Sequence, residues 1–173
     1  GEKVEISERW PIRLSRELTD SVLNIRSTEI IAQTGWRTDQ LSAAANKNVA
    51  DQKFDLVSLL IGVNNEFQGE NSADFEVKFK KCLNLAIAHS KTGANGVFVL
   101  SIPDYGYTPY GKRNQTSISK RIDAYNAICK TVSNELDVVY FDITAISRNG
   151  LKEKDLVTYD GLHPSGKQYK LWV

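Results

Sequence analysis

A chain of 173 residues with 41% hydrophobic and 25% charged side chains has the makeup of an ordinary globular domain, long enough to bury a core and too short for two full-sized ones. Its net charge of +1, from 22 basic and 21 acidic residues with no dense Lys/Arg run, gives no electrostatic footprint for nucleic acid. The longest apolar stretch, Leu56 to Val63, is broken by Ser58 and Gly62 and is too short to cross a bilayer, so no transmembrane segment is expected.

Strand-like and helix-like segments alternate along the chain, the pattern of a parallel sheet with helices on both faces. SERWPIRLSREL places Trp10, Leu14 and Leu18 on one helix face, with Ser7 as its cap and Pro11 in its first turn. TEIIAQTG predicts a short buried strand, and Thr38 caps a helix over DQLSAAANK. FDLVSLLIGVNN is the most strand-like run. From Ala73 to Lys91 the stripe of Phe75, Phe79, Leu83, Ala86 and Ile87 predicts an amphipathic helix, and GVFVLSIPD a further strand. The polar loop YGYTPYGKRNQTS leads to a helix with the stripe Ile118, Ile122, Tyr125, Cys129, Val132 and Leu136. VVYFDIT is the last predicted strand, and DGLHPSGKQYKLW a turn and helix start. The expected count is four strands, without the strand that normally opens a doubly wound sheet.

The motifs argue against several chemistries. No G-x-G-x-x-G follows a strand and no G-x-x-x-x-G-K-[ST] occurs, so neither a dinucleotide nor a P-loop site is indicated. The two histidines stand far apart with no carboxylate cluster, so a metal site is poorly supplied. Cys82 and Cys129 lack Cys-x-x-Cys spacing and are read as plain buried thiols. His89, in the last turn of its helix, is expected to face solvent and complement the helix dipole.

Asp160 and His163 differ from these, because three positions within a tight turn bring a carboxylate to one imidazole nitrogen and leave the other free. That is the orienting half of a nucleophilic triad, although DG and HPS are also ordinary turn signals. TGW puts Gly35 at the end of a predicted strand, where a backbone N–H can approach a ligand, and GVNN presents the Asn64 amide at the end of the next. Two such donors suit an oxyanion hole, and a strand-to-helix turn and an Asx turn are the plainer readings. These residues fall on the sheet edge where α/β proteins bind ligands.

With those residues in view, the chain resembles the SGNH, or GDSL-type, hydrolase family over nearly its whole length. TGWRTDQL is similar to the family's glycine block, LLIGVNNEFQG to its G-x-N-D block and YDGLHPSG to its D-x-x-H block, while SIPDYGYTP resembles a stretch in a bacterial branch. Asn65 stands where many members have Asp, a departure expected to alter local hydrogen bonding more than chemistry. The resemblance implies one flavodoxin-like three-layer α/β/α domain over residues 1–173, its parallel sheet having five strands, four of them encoded here. It implies Gly35 and Asn64 as oxyanion donors, His163 as general base and Asp160 as its orienting partner.

The G-D-S block that bears the nucleophile is absent from residues 1–173, and GEKVEISERWP is similar to the segment just after that block in relatives. Neither Ser101, within a strand of its own, nor Ser165, at the last helix start, replaces it. The expectation is that the serine lies upstream of Gly1. Six buried residues of the missing central strand, at roughly 1.5–3 kcal/mol each, are worth about 9–18 kcal/mol, as much as the stability of a domain.

The implied activity is serine-dependent hydrolysis of a small-molecule acyl ester, without metal or organic cofactor. The esterase, lipase, lysophospholipase and carbohydrate deacetylase types remain open, as does oligomeric state. Tyr105, Tyr107 and Tyr110 are candidates for lining an acyl or sugar site, with local packing the alternative. A soluble bacterial protein, cytoplasmic or periplasmic, is expected. The rival functions are a non-catalytic ligand-binding domain of the same fold and, less well supported, a flavin or nucleotide binder.

Overall fold

The computed structural model describes residues 3–21 and 23–173. Two compact units emerge, one of residues 31–103 and 120–143, the other of residues up to 30 with 104–119 and 144–173.

The first unit holds the sheet. Strands β1 (Val57–Leu59), β2 (Val97–Leu100) and β3 (Val139–Phe141) run parallel in that spatial order. Val57 pairs with Val97, Leu59 with Val99, and Val99 with Tyr140. Because side chains alternate along a strand, Leu59, Val97 and Val99 lie on one face, where they are buried. Phe98, Val139 and Phe141 lie on the other, with Val139 and Phe141 half-exposed and Phe98 edge-on to Phe141 at 5.7 Å.

The helices follow from the predicted stripes. Before the sheet comes α1 (Trp10–Ser21), which belongs to the second unit; α2 (Thr38–Asn48), α3 (Val63–Phe67) and α4 (Ser72–His89) lie in the first. Helix α5 (Gln115–Glu135) begins in the second unit and continues in the first. Asn71 caps α4 by accepting the Asp74 N–H at 2.9 Å. The α4 stripe of Phe75, Phe79, Cys82, Leu83 and Ala86 is buried, as are Ile122, Tyr125, Cys129 and Val132 of α5, and the two helices meet where Phe75 stacks on Tyr125 at 4.1 Å. Both cysteines are free and buried, and burial pushes both thiols above their usual range, away from a reactive thiolate.

Gly62 fixes the passage from β1 into α3. Its φ of +127° suits glycine alone, and a Cβ there would lie 2.7 Å from Ile102 Cδ1 and 2.9 Å from the Phe75 ring. The closely packed core under the G-V-N-N turn therefore leaves no room for a side chain.

In the second unit, α1 packs on α7 (Gly166–Leu171), which also touches α6 (Thr144–Ser147) and the 3₁₀ turns Ile6–Glu8 and Lys154–Leu156. Trp10, Leu14 and Leu18 are half-buried. Asp104, buried, accepts from the Gly106 N–H at 2.8 Å and from Arg148 Nε at 3.0 Å, and its own N–H donates to Ser147 Oγ at 2.8 Å. The 104–111 loop is thereby fastened to the end of α6.

Four expectations are corrected. TEIIAQTG is not a strand: residues 28–33 form no regular element and are mostly exposed, and among the described residues no neighbouring strand pairs with their N–H and C=O groups. Three strands therefore form among the described residues rather than four. His89 does not face solvent; it is buried, with Nδ1 at 3.0 Å from the Gln52 carbonyl. Arg37, not Thr38, is the cap of α2, because the buried Thr38 is engaged by Asn65. Ser7 lies within a 3₁₀ turn, Ile6–Glu8, ahead of α1 and does not cap that helix.

Candidate active site

The turn that carries Asp160 and His163 is closed by its own backbone. Val157 and Pro164 form an antiparallel bridge, the Thr158 N–H donates to His163 O at 2.8 Å, and the Gly161 N–H donates to Thr158 O at 2.9 Å. Gly161 takes φ +72°, which lets the chain double back tightly enough for position 160 to face position 163.

Within that turn the Asp160 carboxylate divides its work between two oxygens. Oδ1 accepts from the Leu162 N–H at 2.9 Å, the His163 N–H at 3.0 Å and the Thr158 hydroxyl at 2.7 Å. Oδ2 lies 2.7 Å from His163 Nδ1. Burial opposes ionisation of this carboxyl, but the Thr158 hydroxyl, the His163 N–H and ring and the Leu162 N–H outweigh it, holding the carboxyl well below the usual range. An ionised carboxylate only accepts, so Nδ1 carries the hydrogen, and in the neutral ring the lone pair is on Nε2. The ring is a third exposed and open to solvent.

The 104–111 loop supports this turn. Tyr110 N–H donates to Gly161 O at 3.0 Å, and Pro109 packs against Gly161 closely enough that a Cβ would meet it at 3.3 Å. Of the three predicted tyrosines, Tyr105 is buried and has little surface to offer a ligand. Tyr107 is half-buried with the Arg148 guanidinium 5.9 Å from its ring centre, and Tyr110 is 57% exposed. Sequence reasoning misses Thr158, Pro109 and Arg148; only the T-x-D spacing of Thr158 and Asp160, a turn pattern, signals any of them.

Gly35 and Asn64 lie in the other unit. Gly35 has φ +85° and an exposed backbone whose N–H has no partner among the described residues. Asn64, at the start of α3, donates one Nδ2 hydrogen to Trp36 O at 3.0 Å. A primary amide has two such hydrogens, so anchoring one aims the other. Asn65 beside it is fully buried; its Oδ1 accepts the Thr38 N–H at 3.2 Å, and its Nδ2 donates to Thr38 Oγ1 at 2.9 Å and Glu70 Oε2 at 2.5 Å. Next along, the buried Glu66 pairs with Arg121.

Neither Ser101 nor Ser165 has a nucleophile's surroundings. Ser101 is buried, donating to Asp142 Oδ1 at 3.0 Å and accepting the Ile143 N–H at 2.8 Å. Ser165 caps α7, accepting from the Gln168 N–H and donating to Asp155 O at 2.6 Å.

The three blocks thus occupy turns, and a family model for GDSL-like lipases and acylhydrolases matches residues 3–171. The chain belongs to that GDSL-like lipase/acylhydrolase family. Solved structures of the same fold include an acetylxylan esterase, Axe2, from Geobacillus stearothermophilus, with a TM-score of 0.74 and 19% identity, over 94% of this chain and 76% of that one. A lipolytic G-D-S-L protein from Veillonella parvula has a TM-score of 0.76 at 15% identity, covering 99% of this chain and 87% of the other. TesA has a TM-score of 0.74 at 18% identity, with 97% and 84% covered. No curated protein matches the chain. Membership of the GDSL-like family supports an ester hydrolase. Among the described residues no helix is long and apolar enough to cross a membrane, and no group of three His, Cys, Asp or Glu side chains is arranged to hold a metal ion.

Proposed function

We propose that this GDSL-like protein hydrolyses an acyl ester through a serine acyl-enzyme, with His163 as general base, Asp160 as the carboxylate that orients it, and the Gly35 N–H and Asn64 amide as oxyanion donors. The observation that carries the reading is the 2.7 Å contact from His163 Nδ1 to Asp160 Oδ2, which leaves Nε2 as the proton acceptor. The nucleophile is the serine of the family's G-D-S block, a block that residues 1–173 do not contain.

In this mechanism the serine oxygen attacks the ester carbonyl as Nε2 takes its proton, and Asp160 stabilises the imidazolium so formed. The negative charge that develops on the carbonyl oxygen is met by N–H donors, which bind it more strongly than they bind the neutral ester. Collapse expels the alcohol, protonated by His163. Water, activated by the same nitrogen, then releases the acid. Tyr107 and Tyr110, the two tyrosines of the supporting loop with surface, are proposed to line the substrate side. The likeness to an acetylxylan esterase makes acetylated sugars a sensible first group of substrates.

The test is p-nitrophenyl acetate turnover by the full gene product and its His163→Ala variant. Turnover falling by at least about two orders of magnitude supports the assignment, and unchanged turnover overturns it. A full gene product without any G-D-S block and without turnover favours instead a ligand-binding domain of this fold.

A further inference from the structure

The family's G-x-N-D block ends in Asp, and this chain has Asn65 there. The surroundings of that side chain account for the difference. Both groups of the amide are used, with Oδ1 accepting from the Thr38 backbone and Nδ2 donating to the Thr38 hydroxyl and to Glu70 Oε2. Glu70 is itself largely buried, its Oε1 paired with Lys78, and its backbone carbonyl accepts from the Tyr125 hydroxyl. An aspartate at 65 would set a second anion against Glu70 Oε2, where the amide sits 2.5 Å away. Two carboxylates at that distance cannot both stay ionised.

The pair sits at a sensitive place. Asn64 ties α3 to Trp36, and Asn65 ties it to Thr38, so adjacent residues grip the 36–38 segment immediately after Gly35. We infer that Asn65 and Glu70 are a matched pair of positioning residues that lock the Gly35 loop against Asn64, and that Glu70 is the reason this chain carries an amide in place of the family's acid. The inference rests on the proposed roles of Gly35 and Asn64 only for its effect on turnover; the matching of 65 with 70 stands on the hydrogen bonds alone.

The pair admits a reversal of polarity. In the Asn65→Asp, Glu70→Gln double variant the carboxylate at 65 still accepts the Thr38 N–H and also accepts the Thr38 hydroxyl hydrogen. The new amide at 70 donates to position 65 and accepts from Lys78. Every bond is kept and the net charge is unchanged.

The experiment compares wild type, Asn65→Asp, Glu70→Gln and the double variant in the full gene product. It measures kcat and KM for p-nitrophenyl acetate and the melting temperature from pH 5 to pH 8. Relative to wild type at the same pH, Asn65→Asp is expected to lose about tenfold in kcat at pH 8 with KM little changed, through misplacement of the donors. The loss shrinks toward pH 5, where the two carboxyls share a proton. The double variant returns kcat to within about threefold of wild type at pH 8, and raises the melting temperature above that of Asn65→Asp. Should Asn65→Asp fail to fold at pH 8, recovery of folding on adding Glu70→Gln supports the pairing equally. A pH-independent Asn65→Asp effect, or no rescue by Glu70→Gln in both turnover and melting, overturns the pairing. Rescue of melting without any turnover in wild type instead counts against the proposed hydrolase and leaves the pairing supported.

Discussion

Asp160 holds His163 at two points, accepting the ring Nδ1 hydrogen on Oδ2 at 2.7 Å and the backbone N–H on Oδ1 at 3.0 Å. One carboxylate thereby sets the position of the residue and the tautomer of its ring. Asp160→Asn separates the two functions. The amide oxygen satisfies the backbone and Thr158 donors, which turns the NH₂ toward Nδ1 and forces the ring hydrogen onto Nε2. The turn is retained while the base is lost, and kcat is expected to fall on the order of 10³–10⁴-fold. Single-turnover measurement of acylation checks this, and a loss below tenfold contradicts it.

How far such details are legible in the sequence depends on the distance between partners. The stripes Phe75, Phe79, Leu83 and Ile122, Cys129, Val132 emerge buried because helical periodicity is local. The Asp160–His163 contact lies within three residues, so turn chemistry alone places it. Residues 28–33 read as a strand by composition, but a strand is decided by its neighbour, and among the described residues none pairs with it. The burial of His89 escapes its local pattern because its partner, Gln52, lies in a distant segment. The Asp104–Arg148 and Thr38–Asn65 bonds join segments far apart in sequence, and no spacing rule reaches them.

Acid unfolding provides a second test of the Asp160 turn. Its carboxyl is held below the usual range in the folded protein, burial being outweighed by the donors around it. A depressed folded-state pKa gives stabilisation that is complete above the unfolded value, about 4, and is lost as pH falls below it toward the folded value. The urea midpoint of wild type should therefore drop from pH 5 to pH 2, while that of Asp160→Asn, lacking the group, drops less. The gap between the two is widest above pH 5. Parallel curves across that range would show that the ionised carboxylate does not stabilise the turn.

Asn64 tests the oxyanion assignment separately from the fold. Among the described residues its amide makes one half-buried bond, to Trp36 O, so Asn64→Ala is expected to cost only about 0.5–1.5 kcal/mol of stability. A donor that acts on charge present only in the transition state contributes little to ester binding. The variant should thus lose about 10²–10³-fold in kcat, with kcat/KM falling equally and KM little altered. Asn64→Asp sharpens the comparison, because it keeps the shape but turns a donor into a carboxylate facing both the Trp36 carbonyl and any developing oxyanion. Its kcat should fall below that of Asn64→Ala. If instead KM rises in either variant while kcat holds, the amide binds the ground state, and the oxyanion role passes to another donor.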